Sequence, residues 1–318
     1  MTYFLFILGF GLLFGGADIL VKGASALARR FHVSDLAVGL TVVAFGTSTP
    51  ELTVNIISSI QGNTDIAIGN ILGSNTANIL LILGISAVIR PLTVTSGTVW
   101  KEIPFSVLAA LAVAFMANDV LFDSQAIPVI SRSDGLGLLL FFAIFLYYVV
   151  CTASRIEGME DHVPSKSLGL PASLCFTAGG LLALIVGARL SVEGAVLIAA
   201  DLGLSESLVG LTIVAVGTSL PELATSAMAA YRGNSEIAVG NIVGSNIFNI
   251  FFILGTSAVI RPLPFYDQGN RDIIAVLLSS LLLFGFMFTW GKKLIDRREG
   301  GLLLLLYFLY MLYCFYVG

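Results

Sequence analysis

The stretch AFGTSTPEL (44–52) places Pro50 and Glu51 inside a long apolar run, and it returns as AVGTSLPEL (215–223), where Glu222 again follows a proline. A proline interrupts a helix because it cannot donate a backbone hydrogen bond. A carboxylate is costly to bury without a partner. A kink alone does not require a glutamate, so the repeated pair predicts a functional site at two helix breaks.

The composition indicates an integral membrane protein. The 318-residue chain is 57% hydrophobic and 11% charged, with a mean hydropathy of +0.97, whereas an ordinary soluble domain carries about 25% charged residues. The three cysteines lie in apolar runs and the two histidines in polar segments, which favours neither a disulfide framework nor a histidine metal site. We expect a multi-pass protein of the cell membrane whose partner is the bilayer, with no nucleic acid, no resident cofactor and no evident protein partner.

Apolar runs separated by polar or Pro/Gly punctuation predict ten membrane helices. The predicted spans are 3–27, 36–60, 65–89, 103–117, 135–153, 172–192, 206–230, 236–260, 272–290 and 301–317. The longest polar segment between them, ASRIEGMEDHVPSKSLG (153–169), divides the chain near its middle. We therefore predict a first five-helix repeat at 1–153, a connecting loop at 154–170 and a second five-helix repeat at 171–318.

The two halves are an internal repeat. IAIGNILGSNTANI (66–79) matches IAVGNIVGSNIFNI (237–250) at ten of fourteen positions, 171 residues later, and SAVIRPL (86–92) recurs unchanged at 257–263. Five spans per half is an odd number, so the second half must enter the membrane from the opposite side. The predicted fold is all-α, with ten transmembrane helices in two inverted-topology repeats and with helices 2 and 7 broken.

The distribution of basic residues predicts the orientation. If the loop after the first span is cytoplasmic, the cytoplasmic loops hold 11 Lys and Arg residues and the opposite side holds 3. By the positive-inside rule, both termini lie outside and the central loop is cytoplasmic.

The helix breaks predict oxygen ligands. In lipid, irregular backbone survives only inside protein or along a wet cavity, and the break frees carbonyls and adds a hydroxyl beside each carboxylate. The first repeat offers Ala44, Thr47, Ser48 and Glu51, and the second offers Ala215, Thr218, Ser219 and Glu222.

The helix after each break carries polar residues spaced by four, which share one face. Small residues beside that face permit close approach by another helix. Its amides and hydroxyls could join helices or line a site; Asn75 and Asn246 fit either role. For Ser74, Asn78, Ser245 and Asn249 we favour a role in the site, because a short hairpin can fold this helix face back against the glutamate of the same repeat.

If the halves close around a pseudo-two-fold axis, Glu51 and Glu222 converge. Two adjacent carboxylates in a low dielectric repel each other and need cations or protons. A divalent hard cation matches the charge, and calcium accepts many oxygen ligands in flexible geometry. Sodium ions or protons could neutralise the same pair, and ions that need the same carboxylates would bind in competition.

At these residues the chain resembles the cation/calcium exchanger superfamily, in its sodium/calcium exchanger branch of prokaryotic type. GTSTPE with GNILGSN, and GTSLPE with GNIVGSN, carry the resemblance, which covers essentially the whole chain. It implies a secondary antiporter rather than an enzyme, exchanging calcium for sodium by alternating access.

The resemblance also implies residue roles. Calcium would be held by Glu51, Glu222, Thr47 and Thr218. Sodium would be held by Ala44, Ser48, Glu51, Ser74, Ala215, Thr218, Ser219, Glu222 and Ser245. Asn78 and Asn249 would line the centre. Potassium-dependent relatives are among those with Asp in place of Asn249, which argues against potassium co-transport.

A pair of opposite charges recurs with its signs reversed. Asp18 and Lys22 are four residues apart in the first span, and Arg189 and Glu193 occupy the matching positions. An ion pair on one helix face explains the spacing, and a role in a moving first helix is the alternative.

Other functions stay open at this point. A calcium/proton antiporter would use the same site, a cation channel could line a pore with the same broken helices, and an intramembrane enzyme could use the two acids. The surrounding Ser, Thr and Asn residues suit ion coordination better than acid catalysis.

Overall fold

The computed structural model describes residues 2–118, 128–153, 168–201, 217–265, 267–289 and 293–317. Nearly all regular structure within these ranges is helical, as the composition predicts. Eight of the described helices are long and apolar enough to cross a membrane. The other two predicted crossings are the helices that carry the proline–glutamate breaks.

Within its described residues the first repeat contains eight α-helical segments. They are α1 (Thr2–Phe31), α2 (Asp35–Val38), α3 (Ala44–Thr47), α4 (Thr49–Gln61), α5 (Thr64–Ala77), α6 (Gly84–Ile89), α7 (Ile103–Met116) and α8 (Arg132–Ala153). Wider π-helical turns occupy Gly39–Val43, Asn78–Leu83 and Thr98–Glu102. The crossings predicted at 36–60 and 65–89 therefore correspond to α2–α4 and α5–α6.

The second repeat follows the same order. Its segments are α9 (Leu170–Asp201), α10 (Leu220–Tyr231), α11 (Ser235–Ile247), α12 (Gly255–Ile260), α13 (Asp267–Phe286) and α14 (Arg297–Val317), with a π-helical turn at Phe248–Leu254. Helix α9 runs past the predicted end at residue 192, because the Glu193 carboxylate pairs with Arg189 one turn earlier at 2.7 Å and the charge does not end the helix. Part of the seventh predicted span, and most of the predicted connecting loop, lie outside the described residues.

Two short antiparallel ribbons tie the repeats together, and the sequence did not predict them. Strand β1 (Leu92–Thr93) pairs with β4 (Leu294–Ile295), and β2 (Val129–Ile130) pairs with β3 (Leu263–Pro264). The β1 and β3 strands each follow an Arg-Pro pair that ends a helix. Each ribbon therefore satisfies loop backbone with a partner from the other repeat.

The first helices of the two repeats, α1 and α9, pack against each other through glycines. A Cβ at Gly16 would lie 2.9 Å from the Ala183 Cβ, and a Cβ at Gly180 would lie 2.7 Å from the Leu20 backbone nitrogen. Small residues let helix backbones approach this closely in a membrane. The pairing fixes the two repeats along a common seam.

The repeated GN-I/V-GSN helices lie at the centre of the molecule. The most apolar window of Ser235–Ile260 is 94% buried and that of Thr64–Ile89 is 78% buried, whereas the other membrane helices in the described ranges are 17–39% buried. The central polar residues of these two helices are buried inside the protein, namely Ser74, Asn75, Asn78, Asn241, Ser245, Asn246 and Asn249.

Candidate ion-binding site

The first repeat breaks its helix at a single residue. Segment α3 ends at Thr47, Ser48 has φ −81° and ψ 9°, and α4 begins at Thr49 with Pro50 in its first turn. A proline is tolerated there because the first backbone N–H groups of a helix have no intrahelical partner. Glu51 follows in the same first turn and is 1% exposed.

The second repeat reproduces this geometry. Ser219 has φ −88° and ψ 6°, α10 begins at Leu220, and Pro221 stands in its first turn. Glu222 is 1% exposed, like its counterpart. Both carboxylates therefore sit at helix N-termini, where the helix dipole favours negative charge.

The two breaks are linked by crossed hydrogen bonds. The Ser48 hydroxyl donates to Glu222 Oε1 at 2.9 Å, and the Ser219 hydroxyl donates to Glu51 Oε1 at 3.2 Å. Each serine precedes the glutamate of its own repeat by three residues and binds the glutamate of the other. The predicted convergence of Glu51 and Glu222 is thus present in the structure.

Several buried oxygens of the predicted site residues have no hydrogen-bond partner within the described part of the chain. They are Glu51 Oε2, Glu222 Oε2, Thr218 Oγ1, Ser245 Oγ, Asn78 Oδ1 and Asn249 Oδ1. Leaving such groups unpaired costs about 1–3 kcal/mol each, and more for charged groups. The arrangement is largely symmetric, since the two glutamates are repeat equivalents and so are the two asparagines. A hard cation would satisfy these acceptors together.

A network of asparagine hydrogen bonds, which we call the amide lattice, joins the two repeats. Asn75 Nδ2 donates to the Asn246 carbonyl at 3.1 Å, and Asn246 Nδ2 donates to the Asn75 carbonyl at 3.4 Å. Asn78 Nδ2 donates to Asn246 Oδ1 at 2.9 Å, and Asn249 Nδ2 donates to Asn75 Oδ1 at 3.0 Å. The Asn75 and Asn246 side chains therefore join the repeats. Asn78 and Asn249 donate hydrogen bonds from Nδ2 to these asparagines, and their Oδ1 atoms have no partner among the described residues.

Both asparagines with a free oxygen lie in π-helical turns. The turn Asn78–Leu83 begins at Asn78, and the turn Phe248–Leu254 contains Asn249 as its second residue. A π-helical turn inserts an extra residue and redirects the side chains around it, and such turns occur frequently at functional sites.

Comparisons with known proteins agree with this geometry. A family model described as "Sodium/calcium exchanger protein" matches residues 1–151 and 172–316. The chain belongs to this sodium/calcium exchanger family. Members of the family are transporters, so the chain is a multi-pass membrane cation exchanger and not an enzyme.

Individual relatives cover almost the full chain. "Inner membrane protein YrbG" of Escherichia coli K12 is 38% identical over 309 residues, which cover 94% of this chain and 92% of the relative. "Sodium/calcium exchanger MaX1" of Methanosarcina acetivorans is 32% identical over 349 residues, covering 100% and 99%. A solved structure of the sodium-calcium exchanger NCX_Mj, soaked with Na+ and Ca2+, superposes with a TM-score of 0.82 at 35% identity and covers 97% of this chain and 96% of that one. The likeness confirms the ten-helix inverted-repeat fold.

Within this exchanger fold, two pairs of predicted site residues are hydrogen-bonded across the repeats, Ser48 with Glu222 and Ser219 with Glu51. The hydroxyl of Ser74 accepts a hydrogen bond from Asn249 Nδ2 at 3.1 Å. The predicted ligand Ala215 lies outside the described residues.

The expectation that the break frees the Ala44 carbonyl is wrong for this structure. The Ala44 oxygen accepts the Ser48 N–H at 3.0 Å and the Thr47 hydroxyl at 3.3 Å. The physical reason is the position of the proline, because Pro50 removes the hydrogen bond to Gly46, four residues earlier, and leaves the bond from Ser48 to Ala44 in place.

A second set of polar residues holds each glutamate helix to the next helix, and it was not expected from the sequence. Asn70 Nδ2 donates to Asn55 Oδ1 at 2.6 Å, and the equivalent Asn241 Nδ2 donates to Ser226 Oγ at 2.9 Å. Asn55 Nδ2 also donates to the Ala67 carbonyl at 2.9 Å. The signal was present in the polar positions Asn55 and Ser226, which stand four residues after the two glutamates on the same helix face.

Proposed function

We propose that this exchanger moves calcium in one direction against sodium in the other, with both ions using the Glu51/Glu222 centre. The observation that carries the proposal is the set of unpaired buried oxygens around two carboxylates. Two carboxylates match the charge of one Ca2+, and amide and hydroxyl oxygens complete the six to eight oxygen ligands that calcium takes. Among the described residues no cluster of three acidic, histidine or cysteine side chains stands as a competing metal site.

The residue roles follow the two breaks. Calcium is bound by Glu51 and Glu222 with Thr47 and Thr218. Asn78 and Asn249 line the centre with their free oxygens. Sodium ions are bound around the same carboxylates by a partly overlapping set: Ser48, Glu51, Ser74, Ala215, Thr218, Ser219, Glu222 and Ser245. Because both ions need the glutamates, they displace each other, and a carrier that reorients only when neutralised exchanges one for the other.

Alternating access suits the inverted repeat, which offers two equivalent paths to one centre. The excess of basic residues on one side places both termini outside and the loop at 154–170 in the cytoplasm. On that orientation the turn between α4 and α5 faces outside and the turn between α10 and α11 faces the cytoplasm.

The test is uptake of radioactive calcium into proteoliposomes loaded with sodium. Wild type should take up calcium only with internal sodium, and Glu51→Gln and Glu222→Gln should reduce uptake to the level of empty vesicles. Glu102→Gln is the matched control, because Glu102 is also buried, at 2% exposed, but its carboxylate binds Tyr148 away from the two breaks. It should keep uptake near that of wild type.

Other results would revise the proposal in defined ways. Uptake driven by a proton gradient in place of sodium would keep the site and replace the coupling ion. Flux that neither saturates nor depends on a counter-ion would indicate a channel. Uptake that survives in both glutamate variants would overturn the assignment of the site.

A further inference from the structure

One asparagine of α11 connects the two helix breaks. Asn241 is fully buried, and its Oδ1 accepts a hydrogen bond from the Thr47 hydroxyl of the other repeat at 3.0 Å. Its Nδ2 donates to the Ser226 hydroxyl at 2.9 Å and to the Glu222 carbonyl at 3.4 Å. Asn241 therefore ties the end of α3, in the first repeat, to the glutamate helix α10 of the second repeat.

The orientation of the Asn241 amide follows from its partners. The Ser226 hydroxyl donates its proton to the Ala238 carbonyl at 3.2 Å, so its oxygen accepts the bond from Asn241. The Glu222 carbonyl can only accept a hydrogen bond. Both of these partners require the amide nitrogen, which leaves Oδ1 for the Thr47 hydroxyl. The three bonds are therefore compatible with one another and hold the amide in a single orientation.

Two glycines beside Asn241 allow the contact with the other repeat. A Cβ at Gly240 would lie 3.0 Å from a carbonyl oxygen of α2, and a Cβ at Gly244 would lie 2.9 Å from the Ala44 Cβ. Residues this small let helix backbones approach closely in a membrane. Helix α11 is therefore packed directly on the segment that leads to the first break, and the short Asn241 side chain reaches Thr47.

We propose that Asn241 is a positioning residue that sets the calcium affinity of the ion centre. Thr47 and Glu222 are both proposed calcium ligands, and they belong to different repeats. Calcium takes about six to eight oxygen ligands around one point, so ligands from two repeats have to be held at a fixed distance from each other. Asn241 bonds the side chain of one and the backbone of the other. This inference rests on the proposed function.

A positioning role at Thr47 distinguishes calcium from sodium. Thr47 belongs to the proposed calcium ligands and not to the proposed sodium set, so a displaced Thr47 weakens calcium binding and leaves sodium binding nearly unchanged. A general loss of packing around α11 weakens the binding of both ions instead, because both use Glu51 and Glu222. Loss of a residue that supports a metal ligand typically lowers metal affinity about 10- to 100-fold.

The experiment measures the affinity for each ion separately, with the full chain in proteoliposomes. Radioactive calcium–calcium exchange without sodium gives the half-saturating calcium concentration, and sodium–sodium exchange without calcium gives the half-saturating sodium concentration. Asn241→Ala should raise the calcium value about 10- to 100-fold and leave the sodium value nearly unchanged. Asn118→Ala is the matched control, because Asn118 Nδ2 also joins two repeats, by a bond to Asn270 Oδ1 at 2.8 Å, but in helices that carry no proposed ligand. It should leave both values unchanged.

Substitutions at Thr47 test the same bond from its other end. Thr47→Val removes the hydroxyl and should raise the half-saturating calcium concentration about tenfold, whereas Thr47→Ser keeps the hydroxyl and should restore the wild-type value. In the Asn241→Ala background, Thr47→Val should add little, since both changes remove one bond. Thr76→Val is the matched control, because Thr76 is equally buried and its hydroxyl donates to the Leu72 carbonyl of its own helix at 3.1 Å. It should leave the calcium value unchanged.

The outcomes separate this inference from the proposed function. If wild type exchanges no calcium, the proposed function is wrong and the inference falls with it. If wild type exchanges calcium but not sodium, the coupling ion is wrong, and the calcium values with the Thr47→Ser rescue still decide. If Asn241→Ala keeps its calcium affinity or loses affinity for both ions equally, or if Thr47→Val costs its full effect in the Asn241→Ala background, only the inference is wrong. If Asn241→Ala does not fold, the comparison of Thr47→Val with Thr47→Ser decides.

Discussion

The turn between α4 and α5 and the turn between α10 and α11 are equivalent in the repeat but lie in different surroundings. In the first, Gln61, Asn63 and Asp65 are all exposed. In the second, Asn234 is 6% exposed and its Nδ2 donates to Ser25 Oγ at 3.1 Å. Glu236 Oε2 accepts the Leu36 N–H at 3.2 Å, so this turn is docked on the start of the second membrane helix.

The local conformation of the two turns is the same. Gly62 has φ 86° and Gly233 has φ 81°, a left-handed conformation that suits glycine. The guanidinium of Arg261 lies against Gly62, and that of Arg90 lies against Gly233. The difference therefore lies in what each turn packs against. Nearly equivalent sequences take the same local conformation here in different surroundings.

The largest effect, a loss of calcium binding, is expected at Glu51 and Glu222, where the two repeats have the same residue in the same geometry. Glu51→Gln and Glu222→Gln should each weaken calcium binding at least about a hundredfold, because each removes one of the two charged ligands proposed for calcium. Loss of a residue that only supports a ligand typically weakens metal binding about 10- to 100-fold, and loss of a charged ligand should cost more. Calorimetric titration of sodium-free protein in detergent measures this. A large difference between the two variants would mean that the asymmetry of the turns extends into the ion centre.

The next effect should distinguish a packed glycine from an exposed one. Gly244→Ala should destabilise the protein by about 1–3 kcal/mol, since its Cβ would overlap the backbone of Leu40. Gly15→Ala should be neutral or stabilising by up to about 1 kcal/mol, because Gly15 is exposed and alanine favours a helix. Thermal unfolding in detergent compares them, and equal melting temperatures would contradict the packing difference.

A smaller effect is expected at the two asparagines that precede α11 and α5. Asn234 accepts the Ile237 N–H at 3.0 Å and bonds Ser25 and Asp35, whereas Asn63 has no side-chain cap bond. Asn234→Ala should cost about 1–2 kcal/mol and Asn63→Ala close to nothing. Hydrogen exchange of the first turns of α11 and α5 measures both, and faster exchange at α5 in the Asn63 variant would reverse the comparison.

The smallest effect concerns the ion pairs of the first helices. Asp18 pairs with Lys22 and also with Arg232 of the docked turn, whereas the exposed pair of Arg189 and Glu193 reaches no other helix in the described residues. Asp18→Asn should change the transport rate about two- to fivefold without changing ion affinity, since partly exposed pairs contribute up to about 1 kcal/mol.

Glu193→Gln is the control for that prediction and should leave the rate within error of wild type. Rates are taken from initial calcium uptake at saturating sodium. A wild-type rate in Asp18→Asn would show that the contact between α1 and the docked turn does not limit transport.

The sequence alone determined the membrane class, the ten crossings, the inverted repeat and the residue types of the site, because hydropathy, proline position and internal repetition are local properties of the chain. It located Glu51 and Glu222 at helix breaks, since a proline is best tolerated near the start of a helix segment. It also predicted a freed Ala44 carbonyl, which the structure contradicts.

Only the tertiary structure decided how those residues are partnered. Three kinds of contact join distant parts of the chain. They are the crossed hydrogen bonds of Ser48 with Glu222 and of Ser219 with Glu51, the hydrogen bonds between Asn75 and Asn246, and the two β-ribbons. The turns at Gly62 and Gly233 share one local conformation, and only the fold surrounds them differently. These contacts join residues that are far apart in the chain, so no local property of the sequence specifies them.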